Sequence, residues 1–286
     1  MADTIRTRAA LEALLADNTA EDISAQDLRD VLISVHLMSD LDQVVTVAKA
    51  GGQYTSIRNA VNSISDAASN KIYTVLVYPG EYEDTVALSN YVNIVAIDPK
   101  ATKLNGVIGD ENAECHCYLN FTIEHSSSQE LMCIRNSNSV INFVGNISNL
   151  TTGIAVWIQG GIVTITGNIY SYLGSGVYAE GGMITINGDI QSDFSVALNI
   201  YNGIAKAQGK ITSLWNNAEG YGIRLFGSGT IILQNSKIIC TYADAKSIYA
   251  PNAKNAYCMN VWANRDDSAD ITQMIAGGFN FDANVQ

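Results

Sequence analysis

The sequence contains four versions of one short motif: Val144-Gly145-Asn146-Ile147, Thr166-Gly167-Asn168-Ile169, Asn187-Gly188-Asp189-Ile190 and Gln208-Gly209-Lys210-Ile211. The isoleucines recur at intervals of 22, 21 and 21 residues, and Ile238 follows after a further 27. A fixed period in this range is typical of repeat architectures, in which each unit must stack on its neighbours to bury its apolar side. The motif therefore predicts that the isoleucines lie one above another.

Each repeat also contains two short stretches in which apolar and polar residues alternate. Val163 and Ile165 flank Thr164 in the first stretch, and Val177 and Ala179 flank Tyr178 in the second. A period of two indicates strands with one buried side, and strands nested in a coil of about 22 residues predict a parallel β-solenoid. Helical repeats are disfavoured because no unit has a long run at helical spacing, and a β-propeller needs blades of about 40 to 45 residues.

Composition narrows the classes of partner. The chain has 286 residues, 47% of them hydrophobic and 15% charged, with a formal net charge of −12. An acidic chain is repelled by polyanions, so we expect neither nucleic-acid binding nor attraction to an anionic membrane. No apolar run is long enough to span a bilayer. Arg6 and Arg8 precede an amphipathic run instead of an apolar one, so no signal peptide is expected.

Three segments are predicted. Residues 1–43 form an α-helical head of two short amphipathic helices, residues 44–264 form the solenoid with a capping helix at about 55–68, and residues 265–286 form a C-terminal cap or tail. The helices of the head are too short to be stable alone, so their apolar sides should dock on a partner. The residues expected to make this attachment are Leu11, Leu14, Leu15, Leu28, Leu32 and Val35.

The head resembles a known kind of segment. Residues 9–18, Ala-Ala-Leu-Glu-Ala-Leu-Leu-Ala-Asp-Asn, and residues 23–30, Ile-Ser-Ala-Gln-Asp-Leu-Arg-Asp, are similar to the N-terminal segment of many bacteriophage virion appendage proteins. In those proteins the segment precedes unrelated distal bodies. The resemblance covers about 30 residues and implies attachment to other virion proteins.

A second resemblance covers residues 45–94. The stretch Val45 to Ile57, the helical pattern that follows it, and the stretch Tyr73 to Asp84 are similar to the opening of pectin methylesterases and the wider pectate-lyase-like superfamily. This likeness implies a right-handed parallel β-helix whose first coil is capped by a helix. The catalytic motifs of the esterases have no matching stretch here, so their chemistry is not expected.

Alternation in the second strand places large side chains on the outside. One predicted row holds Ala155, Tyr178, Ala197, Arg224 and Tyr249, and the next holds Trp157, Glu180, Asn199 and Phe226. Apolar patches on a surface mark contacts, so Trp157, Tyr178, Arg224, Phe226 and Tyr249 are expected to face either a second copy, in a homotrimer, or a host surface polysaccharide.

Catalytic and metal sites are not singled out by spacing. A glycosidase needs two carboxyls flanking one bond, and the candidates are Glu180, Asp189, Asp193, Asp110, Glu111 and Glu124. Asp189 fills a slot that holds Asn146 and Asn168 in other repeats, which indicates a turn residue. In Cys115-His116-Cys117 alternation puts the histidine on the face opposite the sulfurs, so no metal site and no cofactor is expected.

The sequence thus predicts a structural or adhesive virion component, such as a tail fibre, tailspike or head fibre. It would be made in the bacterial cytoplasm and attached through its N-terminal helices. The competing class is a polysaccharide depolymerase, a hydrolase or lyase, on the same scaffold, with Glu180, Asp189 and Asp193 as the carboxylates to consider.

Overall fold

The structure is a computed structural model that describes residues 43–111, 113–126, 128–215, 221–241, 247–250, 255–263 and 274–281. Two compact units divide the chain, Met1–Val45 and Thr46–Gln286, and the described residues belong almost entirely to the second. The predicted helical head with its six attachment residues, and most of the predicted C-terminal segment, lie outside the described residues.

The second unit is a parallel β-solenoid of about eight turns, in which each turn contributes strands to three faces. The first face contains β1 (Val44–Val47), β2 (Tyr73–Val77), β5 (Val92–Ala96), β8 (His116–Asn120), β11 (Val140–Val144), β14 (Ile162–Thr166) and β17 (Met183–Asn187). The second face contains β3 (Gly80–Tyr82), β6 (Thr102–Leu104), β9 (Thr122–His125), β12 (Ile147–Asn149), β15 (Ile169–Ser171) and β18 (Ile190–Ser192).

Four longer strands run through the corner between the first and second faces: β20 (Ile204–Ser213), β22 (Thr230–Cys240), β24 (Asn255–Ala263) and β25 (Met274–Phe281). The third face is a separate sheet with one strand per turn: β4 (Val86–Ala87), β7 (Ile108–Gly109), β10 (Met132–Ile134), β13 (Val156–Ile158), β16 (Val177–Ala179), β19 (Leu198–Ile200), β21 (Ile223–Leu225) and β23 (Ile248–Tyr249). The corners joining faces one to two, two to three, and three to one are the first, second and third corners.

The repeated isoleucines form one continuous column, as the sequence predicts. Ile147 pairs with Ile169, Ile169 with Ile190, and Ile190 with Ile211, and the column continues to Ile238. Each of these side chains is at most 1% exposed. Because every turn places the same side chain over the last, the core is filled turn by turn, and the parallel solenoid is confirmed.

The first corner explains the glycine and asparagine of the motif. A Cβ on Gly167 would lie 1.9 Å from the carbonyl oxygen of Gly145, so successive turns approach more closely than any side chain permits. In the first three motifs the next residue hydrogen-bonds to the following turn: Asn146 Oδ1 accepts from the Asn168 amide at 2.9 Å, Asn168 Oδ1 from the Asp189 amide at 3.0 Å, and Asp189 Oδ1 from the Lys210 amide at 2.8 Å. Glycine thus permits the close approach of the turns, and the side chains of Asn146, Asn168 and Asp189 join them. We call this series of hydrogen bonds the asparagine ladder.

The second corner contains a ladder of buried hydroxyl groups. Ser171, Ser192 and Ser213 occupy equivalent positions at the ends of their strands and are fully buried. Each hydroxyl donates to a backbone carbonyl in the loop of the preceding turn, at distances of 2.9 to 3.0 Å. The ladder satisfies carbonyls that would otherwise be buried without partners as the chain leaves the second face.

A single short helix, α1 (Ile57–Asn62), lies in the range predicted for the cap and is shorter than predicted. Ser56 caps it, and the buried Asp84 carboxylate accepts hydrogen bonds from the Ser56 hydroxyl and the Ile57 amide. Asp84 precedes β4, the edge strand of the sheet that forms the third face, and α1 packs against that strand. Within the described ranges, no helix is long and apolar enough to cross a lipid bilayer.

Candidate binding surface

The outer side of the third face presents one row of large side chains, which we call the aromatic row: Trp157, Tyr178, Asn199, Arg224 and Tyr249. The sequence divided these residues between two rows, and that division is wrong. Val156 pairs with Val177, which brings Trp157 beside Tyr178. Strands of three residues look alike after a shift of two positions, so alternation alone cannot fix their register.

Two alanines of the predicted rows are also wrongly placed. Ala155 and Ala197 were predicted to face outward, but both are fully buried, because each precedes its strand at a bend where alternation does not apply. Glu180 and Phe226 follow their strands at the third corner and flank the aromatic row.

The rings of the aromatic row contact one another and two arginines. Trp157 and Tyr178 stack with ring centroids 6.4 Å apart, and Phe226 meets Tyr249 edge-on at 6.1 Å. Arg224 lies 4.3 Å from the Phe226 ring centroid, and Arg135 lies 5.8 Å from that of Trp157. The structure therefore brings together all five predicted contact residues on a surface of aromatic faces and cations.

Three polar atoms of the aromatic row have no hydrogen-bond partner although they are buried: Trp157 Nε1, Asn199 Oδ1 and Arg224 Nε. Buried polar atoms are normally paired, so three orphans in one row need an explanation. Among the described residues, neither Arg135 nor Arg224 forms an ion pair. Burial, reinforced by Glu180 and opposed by Arg224, raises the pKa of Tyr178, which is therefore neutral at physiological pH.

The row ends at smaller side chains. On the third face, Trp157 is paired with Cys133 of the preceding turn, and Cys133 is paired with Gly109 of the turn before that. A cavity of about 160 Å³ lies here, bordered by Glu111, Glu130 and Arg135. The aromatic row is thus followed, on the outer side of the third face, by a small trough lined by charged side chains.

A second exposed surface, which the sequence reasoning missed, runs along the second corner. We call it the corner stripe: Leu150, Tyr172, Leu173, Phe194 and Leu214, each 37% to 45% exposed. Tyr172 and Phe194 meet edge-on at 5.1 Å, so adjacent turns are continuous in this stripe. Its sequence signal is an apolar residue three or four positions after each repeated isoleucine.

A groove of about 570 Å³ occupies the same corner in earlier turns and reaches Leu150 at the start of the corner stripe. Glu83, Glu124, His125 and Arg58 line this corner groove. Glu124 pairs with Lys103 at 2.8 Å, and the Arg58 Nε donates to the Thr85 carbonyl. The groove therefore contains two glutamates and an imidazole, together with the Asp84 carboxylate that holds the start of α1.

The structure does not bring the three alternative catalytic carboxylates together. Glu180 lies at the third corner, Asp189 at the first and Asp193 at the second. Each already has structural partners. Glu180 accepts from Gln159, and Asp189 continues the asparagine ladder by accepting from the Lys210 amide. Asp193 accepts from Tyr170 and Gln191.

Two of the other candidate carboxylates separate in the same way. Asp110 is fully buried and accepts hydrogen bonds from the backbone amides of Arg135 and Asn136 and from the Ser139 hydroxyl, so it holds the turn after β10. Glu111 lies at the small trough and has a positive φ of 46°.

The four cysteines whose side chains the structure describes, Cys115, Cys117, Cys133 and Cys240, belong to the core. Cys115 and Cys117 are buried on the side opposite His116, which lies 3.1 Å from Glu114. Burial raises the pKa of the Cys115 thiol to about 12, with smaller contributions from Asp110 and Glu114, and burial likewise raises the pKa of Cys117. Within the described part of the chain, no group of three or more metal-ligating side chains is found.

Three surfaces of the described residues are therefore candidates for binding: the aromatic row, the corner stripe and the corner groove. Each of the three extends over several turns. No protein-family model, no curated protein and no solved structure matches this chain.

Proposed function

We propose that this chain is a structural or adhesive component of a bacteriophage particle, such as a tail fibre, tailspike or head fibre, attached to the virion through its N-terminal helices. The resemblance of residues 9–30 to phage appendage proteins supports the attachment. The likeness of residues 45–94 to pectate-lyase-like proteins supports a right-handed coil. The observation that carries the proposal is the corner stripe, an apolar surface that continues over four turns.

The corner stripe has the properties of a contact between copies. From the exposed fractions of its five side chains, it offers on the order of 400 Å² of apolar surface, about half of what one partner contributes to a standard interface. A stripe along one corner can meet its two equivalents around a three-fold axis. The aromatic row is less suited to that position, because its arginines would approach their own copies and repel them.

Light scattering tests the trimer. The purified chain should have the mass of three copies, and Phe194→Asp should produce monomers because three carboxylates would meet in an apolar contact. Ile162→Asp is the matched control, since Ile162 is 49% exposed on the first face and the trimer should survive its replacement. A wild-type monomer at micromolar concentration would contradict the self-contact.

Mass spectrometry of purified phage particles tests the assignment to the virion. Particles from the source phage should contain the chain, and a version lacking residues 1–40 should be absent from particles although it is still made. Particles without the full-length chain would refute the assignment, whatever its oligomeric state.

The corner groove favours a second candidate, a polysaccharide hydrolase or lyase. Two glutamates and an imidazole in one groove are groups that can perform general acid–base chemistry on a glycan. Purified protein would be incubated with host capsule or lipopolysaccharide, and chain length followed by gel filtration. Shortened chains that disappear with Glu124→Gln but persist with Asp189→Asn would establish this activity and place it in the groove.

A further inference from the structure

We propose that the aromatic row binds an acidic polysaccharide along the length of the solenoid, with sugar rings against Trp157, Tyr178 and Tyr249 and sugar carboxylates on Arg135 and Arg224. The inference deepens the adhesive part of the proposed function and rests on it.

Two arginines without a described ion-pair partner, Arg135 and Arg224, are the first support for this proposal. The chain has 28 acidic residues and only 16 lysines and arginines, so an arginine without a carboxylate partner is unexpected. Arg135 nevertheless lies over the Trp157 ring and Arg224 over the Phe226 ring, and neither forms an ion pair with a described carboxylate, although Glu111 and Glu130 border the same trough as Arg135. A guanidinium group matches a carboxylate in a planar, two-pronged geometry, which makes a carboxylate from outside the chain the natural partner.

The aromatic rings are the second step. Trp157 and Tyr178 stack on each other with their planes only 25° apart, and the partly buried Tyr249 stacks on Tyr221 at 7°. Flat aromatic surfaces suit the apolar faces of sugar rings, while polar groups at the edges take hydroxyls. The orphaned Trp157 Nε1 and Asn199 Oδ1 lie just beneath these surfaces and become one donor and one acceptor for a ligand when the side chains around them shift.

The spacing of the cations separates a polysaccharide from a nucleic acid. Arg135 follows β10 and Arg224 lies in β21, four turns later, which corresponds to about 19 Å. Double-stranded DNA has one charge for about every 1.7 Å of its axis and would need many more cations. Glu180, at the corner between the two arginines, would repel such a dense polyanion but tolerate a chain with widely spaced carboxylates.

The position of the row also disfavours an extended peptide. Peptides commonly add a strand to the free edge of a sheet. The strands of the aromatic row are each paired on both sides, apart from the last, so their backbone groups are already used. A ligand here must be recognised by side chains alone, as stacked and charged sugars are.

The test is binding of the purified full-length chain to an array of oligosaccharides containing glucuronate, galacturonate or sialate, each printed beside its carboxyl-reduced counterpart. Binding should be confined to acidic members and weaken with added salt. Arg224→Gln and Arg135→Gln should each weaken it about ten-fold, the usual scale for one charge-assisted contact. Lys206→Gln is the control, because it removes the same charge from an exposed position on the first face.

A second pair of variants separates binding from folding. Tyr178→Leu should lose most of the affinity, whereas Tyr118→Leu, which removes a ring of 37% exposure from the first face, should bind normally. The thermal midpoints of the two variants should lie close to each other. The inference is overturned if no acidic member binds, if the carboxyl-reduced members bind equally, if neither arginine variant changes binding, or if single-stranded DNA or a poly-glutamate peptide binds with the same dependence on Arg224. None of these outcomes affects the mass-spectrometric test of the virion assignment.

Discussion

Replacing Gly167 with alanine tests the close stacking of turns at the first corner. The new Cβ would lie 1.9 Å from the Gly145 oxygen, so the two turns would have to separate by more than about 1 Å. That separation weakens the bonds joining the turns, including the Gly145 amide to the Thr166 carbonyl at 2.9 Å and the Asn168 amide to Asn146 at 2.9 Å. Gly167 also has a φ of 145°, which an alanine rarely adopts.

The size of the effect follows from these terms. A φ of 145° lies outside the left-handed helical region and costs about 1 to 3 kcal/mol for alanine. Two or three weakened hydrogen bonds cost about 1 kcal/mol each. We therefore expect Gly167→Ala to lower the free energy of unfolding by about 4 kcal/mol. Gly51→Ala is the matched control, since Gly51 has a φ of 77° but no atom within 4 Å of its added Cβ. The free energy of unfolding of Gly51→Ala should fall by only about 1 kcal/mol.

Urea denaturation followed by circular dichroism measures both variants. The difference between them reports mainly the contact between turns, because both replace a glycine of positive φ with alanine, although a φ of 145° costs alanine somewhat more than a φ of 77°. If Gly167→Ala were within about 0.5 kcal/mol of Gly51→Ala, the corner would be loose enough to admit a side chain and the account of the motif would be wrong.

Three further predictions concern the core and its thiols. Ser192→Ala should cost about 1 to 2 kcal/mol because the Gly174 carbonyl loses its buried donor, whereas Ser148→Ala on the outer side of β12 should be nearly neutral in the same urea titration. Ile169→Val should cost about 1 kcal/mol in the column, and Ile162→Val, at a half-exposed site, clearly less; equal costs would contradict the stacking. Cys115 should resist iodoacetamide in the folded protein but react in urea. Because the folded protein raises the pKa of this thiol, its contribution to the free energy of unfolding is fully present below pH 9.0 and is lost as pH rises through about 12. Cys115→Ala should make the free energy of unfolding less dependent on pH in this range.

The stacking could be predicted from the sequence because the signal is local and repeated. A glycine, a short polar side chain and a buried isoleucine each have one task at the first corner, and every turn repeats the set. The column from Ile147 to Ile211 therefore follows directly from the spacing.

The register of the third face could not be predicted in the same way. Its strands have two or three residues, so inward and outward positions repeat after any shift of two, and only the length of the preceding loop decides between them. The loop before Val156 is one residue longer than that before Val177, which is why Trp157 joins Tyr178 instead of Glu180.

The candidate catalytic residues show a related limit. Glu180, Asp189 and Asp193 are close in sequence, and closeness in sequence usually favours closeness in space. In a solenoid with about 21 residues per turn the reverse holds, because residues within one turn spread around its perimeter. Residues one period apart are the ones that meet, as the corner stripe shows with Leu150, Tyr172 and Phe194.

The asparagine ladder has a direction. Each side-chain oxygen accepts from the backbone of the turn that comes later in the chain, so Asn146 prepares a site for Asn168 and Asn168 prepares one for Asp189. A completed turn is therefore a template for the next segment to leave the ribosome, and the solenoid should be able to assemble during synthesis without waiting for its C-terminal end. Ribosome-bound chains halted after successive turns should accordingly become protease-resistant in steps of one repeat.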